Sequence, residues 1–255
     1  MSAAVLRVDD LCIAFGGLRA VSGFRLKLAP GALEGLIGPN GAGKTTVFNL
    51  LSGIYAPDSG RFELAGRELR GLPADKICRA GIARTFQNIR IFTHLTVLEN
   101  VLVGFHQSVD YTYLDSLLRT PRYLREEAAK TQKALELLDR VGLGKRVGET
   151  ARELSYGDQR RLEIARALAT GPKVLLLDEP AAGLNTTEKA QLMALIAAIR
   201  KEFQVAILVI EHDMKLVMGI CEKITVLDHG EIIAVGTPKE IQSNPKVIEA
   251  YLGVA

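Results

Sequence analysis

Residues 38–45, Gly38-Pro39-Asn40-Gly41-Ala42-Gly43-Lys44-Thr45, constrain this chain more than any other stretch of it. They follow the apolar run Leu33–Ile37 and precede Thr46-Val47-Phe48-Asn49-Leu50-Leu51, which is helical in character. Strand, glycine loop and helix in that order, with the spacing G-x-x-x-x-G-K-[ST], form a phosphate cradle. The glycines let backbone N–H groups converge on phosphate oxygens at a helix N-terminus, where the dipole favours an anion. The candidate phosphate-binding residues are therefore Gly38, Asn40, Gly41, Ala42, Gly43, Lys44, Thr45 and Thr46. Lys44 is expected to bridge β- and γ-phosphates and the Thr45 hydroxyl to ligate Mg2+. A purely structural glycine turn is the plain alternative, and the flanking strand and helix argue against it.

The remaining composition decides what surrounds that loop. A chain of 255 residues, 48% hydrophobic and 24% charged, can bury a core without covalent staples. Cys12, Cys78 and Cys221 are widely spaced with no C-x-x-C pair, which predicts reduced, buried thiols rather than a disulfide framework or a metal cluster. Formal charge is +3, with 15 basic against 12 acidic residues in 1–127 and 17 against 17 in 128–255, so neither half is a basic nucleic-acid arm. The first ten residues carry no basic and apolar leader, so no signal peptide is expected. The densest apolar runs, residues 174–177 and 205–210, fall far short of the roughly 20 residues that cross a bilayer. Any membrane role is expected to run through a partner.

Short apolar runs at Leu6–Phe15, 24–28, Leu33–Ile37 and 61–64, separated by turn residues, predict an antiparallel β patch over the first 70 residues, beside a main sheet. From Leu33 on, and again after Gly171, apolar strands alternate with helix-length amphipathic segments: 174–177, Thr186–Phe203, 205–210, 214–221 and 223–227. That alternation predicts a mostly parallel sheet flanked by helices. Between 96 and 169 the strand signal disappears, and residues 122–141 carry Ala, Leu, Glu and Lys at helical spacing. The predicted fold is α/β, with a P-loop NTPase core, an antiparallel β subdomain and an inserted α-helical subdomain. The expected divisions are 1–95, 96–170 and 171–255.

Asp178-Glu179-Pro180 follows the strand residues 174–177, at the carboxyl edge of the sheet where ligand chemistry is expected. Asp178 is placed to hold Mg2+ directly or through water, and Glu179 to polarise an attacking water. Alone, such a pair is usually a cap for the next helix; beside a phosphate loop the weighting reverses. Further along, Leu154-Ser155-Tyr156-Gly157-Asp158-Gln159-Arg160-Arg161 opens an amphipathic helix. Ser155 is expected to cap it, and Gly157 would let its N-terminus approach an anion closely.

This run resembles the signature motif of ABC-type ATPases, and its neighbours agree in order. Gln87 in Arg84-Thr85-Phe86-Gln87 resembles the Q-loop, Ala182-Gly183-Leu184-Asn185 the D-loop, and His212 in Val209-Ile210-Glu211-His212-Asp213 the switch histidine. Phe15 resembles the aromatic that stacks on adenine. Two departures stand out. The common signature is Leu-Ser-Gly-Gly-Gln, whereas this chain has Tyr156 in the third place and Asp158 in the fifth, and its D-loop ends in Asn185 where Asp is usual. An acid facing phosphates is repelled, so Asp158 is expected to point outward or towards the ribose.

With those departures, the segments 181–185 and 211–218, and the ending Asn244-Pro245 through Tyr251-Leu252-Gly253, the whole chain resembles the LivG-type ATP-binding subunits of branched-chain amino-acid importers. The stretch 104–125, rich in Tyr and Arg, fits the longer helical subdomain of that group. The resemblance implies ATP and Mg2+ as ligands, with Thr45, Gln87 and Asp178 at the metal. Lys44, Glu179 and His212 would do the chemistry, and Phe15, Ser155, Tyr156 and Gly157 would join the phosphate loop in holding the nucleotide. It further implies a composite site, in which the loop of one subunit meets Ser155-Tyr156-Gly157 of another. The implied partners are two membrane permeases, a second ATPase subunit, either self or a paralogue, and indirectly a periplasmic or extracellular solute-binding protein. The implied location is peripheral, at the cytoplasmic face of the inner membrane, with no nucleic-acid partner. Rival readings are an ATPase of a urea or amide importer, one of a lipid or lipopolysaccharide exporter, and a non-transport ATPase acting on DNA or ribosomes. The last normally needs tandem modules or a long coiled coil, and neither is visible in the sequence.

Overall fold

The computed structural model describes residues 4–108 and 111–252. In chain order the first elements are strands β1 (Leu6–Phe15), β2 (Leu18–Leu28) and β3 (Leu33–Ile37), helix α1 (Lys44–Leu51), strands β4 (Ser59–Leu64) and β5 (Arg67–Glu68), helix α2 (Ala74–Ala80) and strand β6 (Ile82–Arg84). Helices α3 (Val97–Gly104), α4 (Tyr113–Leu117), α5 (Pro121–Arg140) and α6 (Tyr156–Ala169) follow. The chain then continues as β7 (Val174–Asp178), α7 (Thr186–Phe203), β8 (Ala206–Ile210), α8 (Met214–Ile220), β9 (Lys223–Asp228), β10 (Glu231–Gly236), α9 (Pro238–Gln242) and α10 (Pro245–Leu252). It divides into two units, residues 1–87 with 172–255, and residues 88–171.

The first unit holds two sheets. One is antiparallel in the order β2-β1-β4-β5; the other runs β10-β9-β3-β8-β7-β6. In the second sheet β9, β3, β8, β7 and β6 pair in parallel and only β10 is antiparallel. Every residue of β3, β7 and β8 is buried, as expected for apolar runs covered on both faces. The sequence places Leu33–Ile37 both among the runs of the antiparallel patch and at the head of the parallel alternation; it pairs with β8 and β9, so the second reading holds and the first is corrected. The unbroken apolarity of this run, against the alternation of β1 (Leu6 and Val8 buried, Arg7 exposed), is the physical difference. The fully buried Phe24, Phe48 and Phe62 bring both sheets and α1 into one core. Of the three cysteines, Cys221 is buried and its thiol is pushed up to about 12 by desolvation, while Cys12 and Cys78 are only half-buried.

The second unit is helical. α3 opens with a reciprocal cap between Thr96 and Glu99, and α5 buries one face through Ala134, Leu137 and Leu138. Inside it, Arg160 and Glu163 form a solvent-excluded pair at 2.8 Å. Residues 109 and 110 of the Tyr- and Arg-rich stretch, and Gly253, lie outside the described residues.

Candidate nucleotide site

The site begins where β3 stops. Gly38 has φ 154°, and a Cβ there would lie 2.1 Å from the Leu227 carbonyl oxygen; Gly43 has φ 99°, and a Cβ there would lie 2.5 Å from the Ala20 carbonyl oxygen. No side chain fits at either point, so the loop is held against backbone on both sides. Gly43 supplies no side-chain cap to α1, which leaves the first amides of that helix open to an external anion. Lys44 folds back over the loop, its Nζ donating to the carbonyls of Gly38 and Pro39 at 2.7 Å each. Burial lowers its pKa from 10.5, opposed by the nearby Glu179 and Asp178 carboxylates. The loop and the acidic strand end thus lie within each other's field. A cleft of 290 Å3 opens over residues 41–46, with Leu18–Ala20 hairpin residues and His229 at its rim. Thr45 is exposed to it and Thr46 is half-buried.

Asp178 ends β7 buried, and its Oδ2 accepts from Arg84 Nη2 at 2.7 Å. Arg84 also donates to Asn49 Oδ1 on α1 and lies against the rings of Phe48 and Phe86. Glu179 adopts φ 45°, a left-handed conformation that costs a non-glycine residue about 1–3 kcal/mol. Its N–H donates to the Ile210 carbonyl at 2.9 Å. Its Oε2 accepts from Gln87 Nε2 at 2.9 Å and lies 3.6 Å from Nδ1 of the exposed His212. Gln87, Glu179 and His212, far apart in sequence, therefore meet at one carboxylate. Glu211 beside them is buried and accepts the Ala181 N–H at 2.7 Å. Desolvation raises its carboxyl above the usual range, opposed by the Ala181 amide and His212.

Phe15 stands 45% exposed in an edge-to-face contact with Tyr55, ring centroids 5.2 Å apart. Asn185 caps α7, accepting the Glu188 N–H at 3.0 Å, a role in which Asn serves as well as Asp. In the helical unit Ser155 caps α6 by accepting the Asp158 N–H at 3.2 Å, Gly157 lies in the first turn and the Tyr156 ring is exposed. Asp158 is bridged to Arg146 at 2.6 Å and Arg161 at 3.7 Å, which accounts for an acid in that place.

Arg84, Tyr55, His229 and Glu211 also line this region, and no sequence motif marks them. The only signals are proximity for Arg84, three residues before Gln87, and for Glu211, next to His212, and aromaticity for Tyr55, just after the α1 turn.

An ABC transporter family model matches residues 21–182, more than half of the chain. The chain belongs to the ABC transporter family. A second model, for branched-chain amino acid ATP-binding cassette transporters, matches residues 231–255 of this ABC ATPase. Over all 255 residues it is 49% identical to the high-affinity branched-chain amino acid transport ATP-binding protein BraF of Pseudomonas aeruginosa, covering 100% of both chains. The match to LivG of Escherichia coli K12, of the same description, is also 49% over 100% of both. Among solved structures, MJ1267, an ATP-binding cassette of an ABC transporter in its ADP conformation, superposes with TM-score 0.86. It is 30% identical, and the match covers 99% of this chain and 100% of that one. The predicted P-loop core stands, and the ABC ATPase is a nucleotide-binding ATPase coupled to transport, of the same kind as its branched-chain amino-acid relatives.

Proposed function

We propose that this ATPase powers the import of branched-chain amino acids by closing on ATP as a pair of subunits and opening on hydrolysis. The observation that carries the catalytic part is the convergence of Gln87 and His212 on the Glu179 carboxylate, within the field of Lys44. In this reading Phe15 stacks on adenine, α1 and residues 38–46 hold the phosphates, and Lys44 leaves its two carbonyl partners for the β- and γ-phosphate oxygens. Glu179 takes a proton from water as the oxygen attacks the γ-phosphorus, and the bridging oxygen leaves with ADP. His212 steadies the γ-phosphate. Ser155, Tyr156 and Gly157 of the partner close the site from the other side, with the α6 N-terminus facing the anion.

The donors around the loop suit a divalent cation. Thr45, Gln87 and Asp178 offer hard oxygens, a hydroxyl, an amide carbonyl and a carboxylate. That combination fits Mg2+, which takes few protein ligands and completes its shell with phosphates and water. Held there, Mg2+ would neutralise the charge that develops on the β- and γ-phosphates.

No described helix is long and apolar enough to cross a membrane, which supports separate permeases as the route of the solute, with the ATPase at their cytoplasmic face. A solute-binding protein would deliver the amino acid from the other side, and the second ATPase subunit is a further copy or a paralogue. The branched-chain match at residues 231–255 and the full-length identity to BraF and LivG support this solute over a urea, amide or lipid cargo.

Glu179→Gln tests the reading. ATP affinity is expected to stay near parental, hydrolysis to fall by about a hundredfold or more, and an ATP-bound dimer to accumulate. In cells the same change is expected to abolish uptake of radiolabelled leucine, isoleucine and valine. Parental turnover removes Glu179 from its role; uptake that persists with a dead ATPase removes the solute assignment.

A further inference from the structure

Glu211 follows β8 directly and is 1% exposed, yet none of the roles above uses it. Burying a carboxyl is unfavourable unless its oxygens are hydrogen-bonded, so what it holds is informative. Its Oε1 accepts the Ala181 N–H at 2.7 Å. Its Oε2 lies 4.0 Å from His212 Nδ1, the same nitrogen that faces Glu179 Oε2 at 3.6 Å, and the Asp213 amide also faces the carboxylate.

Ala181 is two residues beyond Glu179, inside the turn that carries the left-handed Glu179 backbone. That turn returns on itself through the Ala182 N–H, which donates to the Glu179 carbonyl at 3.1 Å. It is fastened to the end of β8 at two points. One is the Ile210 carbonyl, which takes the Glu179 N–H, and the other is the Glu211 carboxyl, which takes the Ala181 N–H. An unfavourable backbone conformation persists only where its surroundings over-determine it. Without the Glu211 acceptor, one of the two fastenings is gone and a buried amide is left unpaired.

We propose that Glu211 is a positioning residue for ATP hydrolysis: by accepting the Ala181 amide it holds the strained turn that aims Glu179. The proposal rests on the reading of Glu179 given above. A residue that merely filled the core would, when changed, lower stability and nucleotide affinity together. A positioning residue lowers kcat while ATP affinity stands.

Three variants separate these outcomes, with kcat, KM, equilibrium ATP affinity and Tm measured on the full chain. Glu211→Gln keeps an acceptor for Ala181 and is expected to retain kcat within about threefold. Glu211→Met keeps the volume without the acceptor. Its kcat is expected to fall by tenfold to a hundredfold, the scale of a roughly 1 Å misplacement of a reacting group, with ATP affinity unchanged within about twofold. Parental kcat in the Met variant overturns the proposal, as does a Gln variant that falls as far as Met, or a loss of ATP affinity equal to the loss of rate. Should Glu211→Met not fold, Glu211→Asp withdraws the acceptor by one methylene; its kcat is expected to fall with affinity intact, and a parental rate overturns the proposal equally. Glu179→Gln in parallel keeps the two readings apart. Parental hydrolysis there overturns the role of Glu179 and this proposal with it, whereas a dead Glu179→Gln beside a parent-like Glu211→Met overturns the proposal alone.

Discussion

Arg84, at the end of β6, and Asp178, at the end of β7, form an ion pair at 2.7 Å with both side chains 5% exposed. The two strands are parallel neighbours, so the pair joins the sheet edge below the acidic turn, and Arg84 extends the link to α1 through Asn49. Removing one partner of such a pair leaves an uncompensated buried charge, whereas replacing both by apolar groups often restores stability. Arg84→Met is therefore expected to destabilise the chain by about 3–5 kcal/mol. The double change Arg84→Met with Asp178→Leu is expected to recover much of that stability and none of the ATPase activity. Denaturant unfolding of the single and double variants decides it; a single variant within about 1 kcal/mol of the parent sinks the claim that the pair anchors this edge.

Much of this arrangement was readable in the residues themselves, for reasons that also mark where reading stopped. The phosphate loop depends on local backbone geometry, and local geometry is written in consecutive residues such as Gly38 and Gly43. The helix Thr186–Phe203 and the cap at Ser155 are local in the same sense. Arg84–Asp178 spans 94 positions and Gln87–Glu179 spans 92, and only the pairing of β6 with β7 brings those ends together. β10 carries no clear signal in the sequence because it is an edge strand with no buried residue, so it lacks the alternation of buried and exposed positions that marks a strand. Leu33–Ile37 reads as part of either sheet, because an apolar run of five residues states its burial but not its partners. Glu211 shows the limit most clearly: a Glu beside a His reads as a solvated charge until Ala181 is found on it.

Glu34 gives the fold a pH dependence of predictable sign. It lies on β3, buried, with Oε2 lacking a hydrogen bond, and its strand partner is Lys223. Desolvation raises its carboxyl above 4.5, opposed by Lys223 and reinforced by Glu222. The folded chain thus holds this proton more tightly than the unfolded one, so its contribution to stability is fully present below 4.5 and is lost as pH rises through the folded value. Glu34→Gln removes that loss. Its Tm is expected to exceed the parent's by roughly 2–4 °C at neutral pH, with the gap closing as pH falls towards the ordinary carboxylate range. Thermal scans across that range check it, and a gap that widens in acid would reverse the assignment.

The reading that two chains build each ATP site makes a prediction that a self-sufficient ATPase does not share. Lys44 and Ser155 belong to different units of the chain, and each offers a helix N-terminus, α1 without a side-chain cap and α6 capped by Ser155. Two such ends can hold one triphosphate between them, one at the loop and one at the γ-phosphate. If the second end comes from the partner, Lys44→Ala and Ser155→Arg damage different halves of each site. Alone, each homodimer carries two broken sites and is expected to be inactive. Mixed in equal amounts, half of the dimers carry both changes on one site and none on the other, so activity is expected to return to about a quarter of the parental value and to rise with protein concentration. The mixture is assayed for phosphate release, with native mass spectrometry reporting how much mixed dimer has formed. Mixed dimer without activity means either that Lys44 and Ser155 serve a site within one chain or that both sites must be intact. A cysteine pair at Ser155 and Asn40 distinguishes these: crosslinking between two chains in the presence of ATP supports the composite site, and crosslinking within one chain removes it.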